Sequence, residues 1–368
     1  MSASAPHSLP GLGRTQARQY LADHTTPLIR NAWYAVALSD DVTRTPSERE
    51  VMATSVVMYR DQAGQPRVLQ NRCCHRSFPL AHGTLEGDCI RCGYHGLLYA
   101  PDGRCVEIPM QDKVPSNLRL RAYPAVERAP FVWAWFGAPE HADESLLPQP
   151  AWLGSVAWDC YIGYLSIAAN YVHLHENLLD LSHLSFLHAT TFGTPEYARA
   201  PVELDVDGTD IQVWRRVECH LPDIYAVPLE WQGMRVLRSS GSQFVSPGLH
   251  VNTGILQNLQ LAPELQDPTP TIKVAQVITP AAQGRTHYWF AGCRNFVRNR
   301  PDIDEFMKKA QIAAFSEDQF AIEQIARLQQ IDQATDFTEM HIPTDSAGLA
   351  MRRHLKSLAD GEQSASNR

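Results

Sequence analysis

Two rhythms of apolar positions divide the chain. From Ile29, the runs RNAWYAVALSDDV and VMATSVVMYRD alternate apolar and polar residues over short stretches, as half-buried strands do. Gln62-Ala63-Gly64-Gln65 reads as a turn, PRVLQN as the next strand, and Pro101-Asp102-Gly103 as another hairpin turn. RLRAYPAVERAPFVWAWFG closes this all-β unit, and Ala138 to Pro150, with three Pro and several acids, reads as a linker. Past Trp152 the rhythm changes. Ile167 to Phe186 has a helical composition without internal Pro or Gly. PVELDVDGTDIQVWRRV alternates around an Asp-Gly step and predicts a hairpin, and LHVNTGILQNL, TIKVAQVITP and RTHYWFAGCRNF predict further strands. Pro301 to Gln330 predicts one long helix, with Phe306, Ile312, Ala313, Phe320, Ile322, Ile325 and Leu328 at roughly helical spacing. Asp302, Asp304 and Glu305 near its start complement the helix dipole. The pattern is that of an α+β chain in two parts. The expected boundaries are a flexible arm over 1–28, rich in Ser, Ala, Pro and Gly, an all-β domain over 29–145 and a second domain over 146–368.

Composition narrows the function classes. The chain has 368 residues, enough for two sizeable cores, with 44% hydrophobic and 20% charged residues. A net charge of −8 leaves no electrostatic footprint for nucleic acid or an anionic membrane. No apolar run approaches a membrane span, and MSASAPHSLPGLGR lacks an apolar signal core, so a cytoplasmic protein is expected. Eight Cys spread over this length do not form the dense framework of a small secreted domain. Cys74, Cys89, Cys105, Cys160, Cys219 and Cys293 are expected to be free thiols.

The other two Cys carry chemistry. Cys73-x-His75 is followed after sixteen residues by Cys92-x-x-His95. A zinc finger pairs its Cys together and its His together; here each arm holds one of each. That order suits a [2Fe–2S] cluster with two thiolates on one iron and two imidazoles on the other, the Rieske arrangement, whose imidazoles raise the reduction potential above that of an all-Cys cluster. Pro79, Gly93 and Gly96 flank the ligands and suit tight loops.

A second constellation is Asn177-x-x-Asp180-x-x-His183-x₄-His188. Two His and a carboxylate form the facial triad that leaves positions open on Fe(II). His183 and His188 are five residues apart, about 140° around an ideal helix. Both reach one ion only if the helix is distorted between them, as by a π-turn, or ends there. Asp180 lies on the same face as His183 and suits the support of an imidazole N–H better than metal ligation. The third ligand then comes from Glu317, Asp318 or Glu323, among which spacing does not choose.

NRCCHRSFPL and RCGYHGLLYAPDGRCVEIP resemble the Rieske non-heme iron oxygenases, most closely the vanillate O-demethylase oxygenase group, and the resemblance runs from about Ile29 past Ile331. It implies a Rieske [2Fe–2S] domain held by Cys73, His75, Cys92 and His95, and a helix-grip-like catalytic domain with a mononuclear Fe(II). The family pattern of a Glu-Asp step with a Glu five residues on points to Asp318 as the third ligand beside His183 and His188, and puts Asn177 near the iron. It also implies a homo-trimer in which Asp180 links a cluster His, His95, to an iron His, His183, of the neighbouring subunit. Electrons then come from NAD(P)H through a separate flavin/iron–sulfur reductase, since no G-x-G-x-x-G follows a strand here. The expected reaction is O-demethylation or hydroxylation of a small aromatic substrate with O₂. Ring dihydroxylation and N- or C-methyl hydroxylation are the alternatives on this scaffold, and a pure Rieske electron carrier or a structural zinc protein is the rival class. His173 and His175 are expected near the pocket, and Arg215, Arg216, Arg235 and Arg238 are candidates for a substrate carboxylate, with surface placement expected for each.

Overall fold

The computed structural model describes residues 17–148, 150–332, 337 and 339–366. The first part is all β, in three small sheets. Trp33–Leu38, Phe131–Trp135 and Ala125–Arg128 form one; Ser47–Val51, Thr54–Arg60, Pro66–Gln70 and Ala122–Tyr123 form the second; Thr84–Glu86, Cys89–Arg91, Leu98–Tyr99 and Cys105–Glu107 form the third. The run VMATSVVMYRD is not one strand. It folds back at Met52-Ala53, both left-handed (φ 54° and 55°), without the Asn or Gly that marks such turns. The turn is held from outside: Met52 N–H donates to Pro280 O (2.8 Å) and Ala53 N–H to Ala281 O (2.7 Å), on a strand of the second part.

That second part is a seven-stranded antiparallel sheet. Its strands are β1 (Asp159–Ile167), β2 (Glu203–Asp207), β3 (Asp210–His220), β4 (Arg235–Ser246), β5 (Leu249–Asn258), β6 (Thr271–Ala282) and β7 (Arg285–Arg294). They lie in the order β1-β7-β6-β5-β4-β3-β2, a meander closed at one edge by the first strand. Among the described residues four α-helices accompany it: α1 (Tyr171–Leu179), α2 (Asp223–Leu229), α3 (Pro301–Ile331) and α4 (Ser346–Ser366). Among the described residues no helix is long and apolar enough to cross a membrane.

The expected helix over 167–186 shrinks to α1. Ile167 ends β1, and Asn170 caps the helix by accepting from Val172 N–H (2.9 Å). At the other end the Asp180 carboxylate accepts from Ser182 N–H (2.7 Å), a local turn that competes with helix continuation. The face expected for the long helix is also rotated. Its buried stripe is Met307, Gln311, Ala314, Phe315, Asp318, Ile322 and Ala326, while Phe320, Ile325 and Leu328 are exposed. Helix α4 has no counterpart in the sequence reading, although Ala347, Met351, Leu355 and Ala359 recur every four residues and are all buried.

The two parts share cores. Trp33, Phe131 and Trp133 pack with Val277, Trp289 and Ala291, and Tyr34 and Val56 belong to the large cluster that runs under the seven-stranded sheet. The tip of the first part keeps a core of its own, from Val57 through Cys73, Leu80, Cys92 and Tyr99 to Leu120. The arm is docked from Ala17 onward rather than free: Ala22 is fully buried, its N–H donates to Arg352 O and its carbonyl accepts from Arg352 Nε. Residues 1–16 lie outside the described ones. Cys160 and Cys293, expected to be free, face each other across β1 and β7 and are joined as a disulfide. Their separation of 133 residues leaves no local signal for the pairing.

Candidate metal centres and substrate cavity

Cys73 and Cys92 sit in two loops with one hydrogen-bond pattern. Cys73 N–H donates to Phe78 O (3.0 Å) and its carbonyl accepts from Ser77 N–H (3.0 Å). Cys92 N–H donates to Leu97 O (2.8 Å) and its carbonyl accepts from Gly96 N–H (3.1 Å). The residue four on from each Cys is left-handed, Ser77 at φ 58° and Gly96 at φ 76°. Both Cys are buried, and both His, four-and-a-half ångströms apart by ring centroid (4.5 Å), are exposed at the tip. The Tyr99 hydroxyl lies 3.2 Å from both Cys73 Sγ and Cys74 N. Burial pushes the Cys92 thiol up. With both sulfurs buried and both imidazoles exposed, the four side chains set sulfur on one side and nitrogen on the other, the donor arrangement of a two-iron Rieske cluster.

A second set, His183, His188 and Asp318, converges on one point. Because α1 ends at Leu179, His183 enters a short 3₁₀ turn (His183–Ser185) and His188 follows in irregular backbone. The break, not a π-turn, brings the two rings to 5.0 Å between centroids. Asp318 comes from the buried stripe of α3, its Oδ1 lying 3.4 Å from His183 Nε2 and 3.1 Å from His188 Nε2. The carboxylates beyond it take distinct places. Glu317, one residue round the helix, reaches the far side of His188: Oε2 lies 2.7 Å from Nδ1 and also accepts from the Thr191 hydroxyl (2.7 Å). Glu323 turns away and accepts from Ala168 N–H (2.9 Å). Asn177 Nδ2 donates to Asp318 Oδ1 (3.0 Å). Asp180 Oδ2 stands 3.9 Å from His183 Nδ1, beyond hydrogen-bond length, and that nitrogen has no partner among the described residues. Burial works against charge on both imidazoles. On His183 it prevails, while on His188 the Asp318 and Glu317 carboxylates outweigh it.

The triad opens on a mostly apolar cavity. Leu181, Leu184, Phe192, Leu256, Ile272 and Phe315 line it, together with Asn177, Arg238, Asn252 and Gln311. Gln311 Oε1 accepts from the Tyr161 hydroxyl (2.7 Å). His173 and His175, expected near the pocket, are not part of this lining. His173 faces Gln329 (2.8 Å), and His175, on α1, is fully buried, 3.0 Å from Pro247 O with its ring 4.7 Å from that of His250. Of the four candidate arginines, Arg216 and Arg235 are surface residues paired with Glu203 and Glu218. Arg215 and Arg238 are buried, against expectation, because the inward face of a strand is set by the sheet and not by the side chain's charge. Arg215 serves the backbone, donating to Leu181 O (3.0 Å) and Ala200 O. The sequence reading missed Glu317 and Thr191 as supports of His188.

Residues 32–124 match the model of the Rieske [2Fe–2S] domain, and residues 167–361 that of the vanillate O-demethylase oxygenase C-terminal domain. The iron–sulfur subunit of the toluene-4-sulfonate monooxygenase system of Comamonas testosteroni is 34% identical over 339 residues, 89% of this chain and 95% of that one. The oxygenase component of dicamba O-demethylase from Stenotrophomonas maltophilia is 27% identical over 90% of this chain and 97% of its own. The crystal structure of dicamba monooxygenase bound to 3,6-dichlorosalicylic acid superposes with a TM-score of 0.86 at 26% identity, covering 93% of this chain and all of that one.

Proposed function

The chain belongs to the Rieske non-heme iron oxygenases, in the group of the vanillate O-demethylase oxygenase subunit, and on that premise we propose that it hydroxylates or O-demethylates a small aromatic substrate. Cys73 and Cys92 would hold one iron of the [2Fe–2S] cluster and His75 and His95 the other, while His183, His188 and Asp318 would hold the mononuclear Fe(II). When bound, the cluster supplies single electrons and the Fe(II) supplies open positions for O₂. The chain's own residues do the rest. Glu317, backed by Thr191, orients His188 through Nδ1. Asn177 holds one oxygen of Asp318. Leu181, Leu184 and Phe315 keep water from the substrate's reacting carbon. For a methyl ether the balance is ArOCH₃ + O₂ + 2e⁻ + 2H⁺ → ArOH + HCHO + H₂O: a methyl C–H becomes C–OH, and the hemiacetal then breaks its C–O bond to release formaldehyde. The two electrons are drawn from NAD(P)H by a flavin/iron–sulfur reductase. A homo-trimer completes the reading. The exposed His75 and His95, and the exposed Phe186, Phe320, Ile325 and Leu328, are what it would cover. Asp180 would then bridge His183 to the neighbour's cluster.

The observation that carries the proposal is the convergence of His183, His188 and Asp318 on an apolar cavity in a chain that also bears the paired Cys/His loops. The reconstituted protein should bind about three irons per chain, two in the cluster and one at the triad. Supplied with a reductase and NADH, it should form formaldehyde from an aryl methyl ether. Two irons and no substrate-dependent O₂ consumption would make it an electron carrier. A single-turnover assay tests Asp180: a pre-reduced Asp180→Asn cluster should stay reduced in the presence of O₂ and substrate.

A further inference from the structure

Arg238 points from β4 into the cavity that His183, His188 and Asp318 line, and is only 4% exposed. It is held between two aromatic rings, 4.9 Å from the Tyr197 centroid and 5.3 Å from that of Tyr225. One of its five N–H donors is spent on Phe192 O (2.7 Å). Among the described residues no carboxylate forms an ion pair with it; its neighbours Tyr197 and Tyr225 meet it with their ring faces. The acids nearest the cavity are otherwise engaged, since Glu317 and Asp318 bear on His188 and offset the two charges of a bound Fe(II). Arg238 thus stays a buried cation without a counter-ion. Burying a guanidinium that way is unfavourable unless a partner arrives. A second donor faces the same space. Asn252 on β5 accepts from Gln276 Nε2 through Oδ1 (3.0 Å), which leaves its NH₂ for another acceptor.

We propose that the cavity selects aromatic substrates carrying a carboxylate or sulfonate, and that Arg238 is the counter-ion that binds it. The inference rests on the oxygenase reading and deepens it by naming the substrate class. The planar guanidinium offers paired N–H groups to two oxygens of one acid, and its aromatic flanks hold that plane in place. The apolar lining takes the ring, so anchoring the acid decides which carbon faces the iron.

Calorimetry on the iron-loaded protein tests this with three probes: 4-methoxybenzoate, 4-methylbenzenesulfonate and the neutral 4-methoxybenzamide. At least one anion should bind ~10–100-fold more tightly than the amide, the range of a charge-assisted hydrogen bond. Arg238→Gln should erase that margin, lowering acid affinity by far more than amide affinity, while Arg238→Lys keeps part of it. The two acids separate carboxylate from sulfonate recognition. Equal binding of acid and amide by the wild type, or no binding of either acid, would overturn the proposal, as would full anion affinity in folded Arg238→Gln. If Arg238→Gln does not fold, the wild-type margin and the Lys variant decide. Failure of the oxygenase reading looks different: acids bind, yet no probe triggers oxidation of the reduced cluster by O₂.

Discussion

At the cluster tip, each Cys is fixed by backbone within five residues of itself, Cys73 by Ser77 and Phe78, Cys92 by Gly96 and Leu97. At the interior triad, His188 is held by Glu317 and Asp318, which stand about 130 residues away in the chain (|i−j| of 129 and 130). The tip packs on a core of its own, whereas the triad depends on the cluster that runs under the whole second sheet. The tip presents its imidazoles to solvent. The triad hides its own, where water is excluded from the reacting carbon. Donors for a one-electron relay can be built from local turns, but a site that must also enclose a substrate has to be assembled by tertiary packing.

The contrast can be broken most severely at the triad. His183→Ala should reduce turnover to background and remove about one iron per chain, with the visible spectrum of the cluster unchanged. Loss of that spectrum as well would mean that the two sites are not built independently. Next, Glu317→Gln should weaken iron binding ~10–100-fold by loosening His188, the usual effect of losing a partner behind a ligand; iron titration against a chelator reads it, and wild-type affinity would leave Glu317 without that role.

Acid should sharpen the comparison. Burial holds His175, on α1, down to about 3 and His250, on β5, well below its ordinary value, both side chains being fully buried. The unfolded chain takes up these protons near pH 6.5 while the folded one refuses them. Their contribution is therefore intact above about pH 6.5 and is lost as pH falls below it, by about 1.4 kcal/mol per pH unit for each group. Melting temperatures between pH 7 and 5 should show the fall, and His250→Phe should remove part of the slope; an unchanged slope would count against it. The smallest effect belongs to the tip. Gly96→Ala forces a left-handed Ala whose Cβ would lie 2.9 Å from Pro109 and should cost about 1–2 kcal/mol. Ser77→Gly, at the matching position, should change stability by less than about 1 kcal/mol. Urea melts of the two variants give the measure.

These differences follow what could be read from the chain. The Cys73/His75 and Cys92/His95 loops were legible as a motif because their ligands come in runs of three and four residues. The hairpin at Asp207–Asp210 and the long helix were legible because their periods are local. His183 and His188 were legible as a pair, with the requirement that the helix be distorted between them or end there, and it ends ahead of both, at Leu179. Spacing left open which acid meets both imidazoles among Glu317, Asp318 and Glu323, and only the resemblance pointed to Asp318, since each step along α3 turns a side chain by about 100° and the buried face was misjudged from exposed Phe320 and Leu328. Only the packed helix decided that Asp318 faces inward while Glu317 passes behind His188. The Met52-Ala53 turn, the Cys160–Cys293 bond and the burial of Arg238 were likewise decided by tertiary structure. Each is a contact between residues far apart in sequence, and neither local backbone preference nor hydrophobic period carries any trace of which distant partner the folded chain will bring.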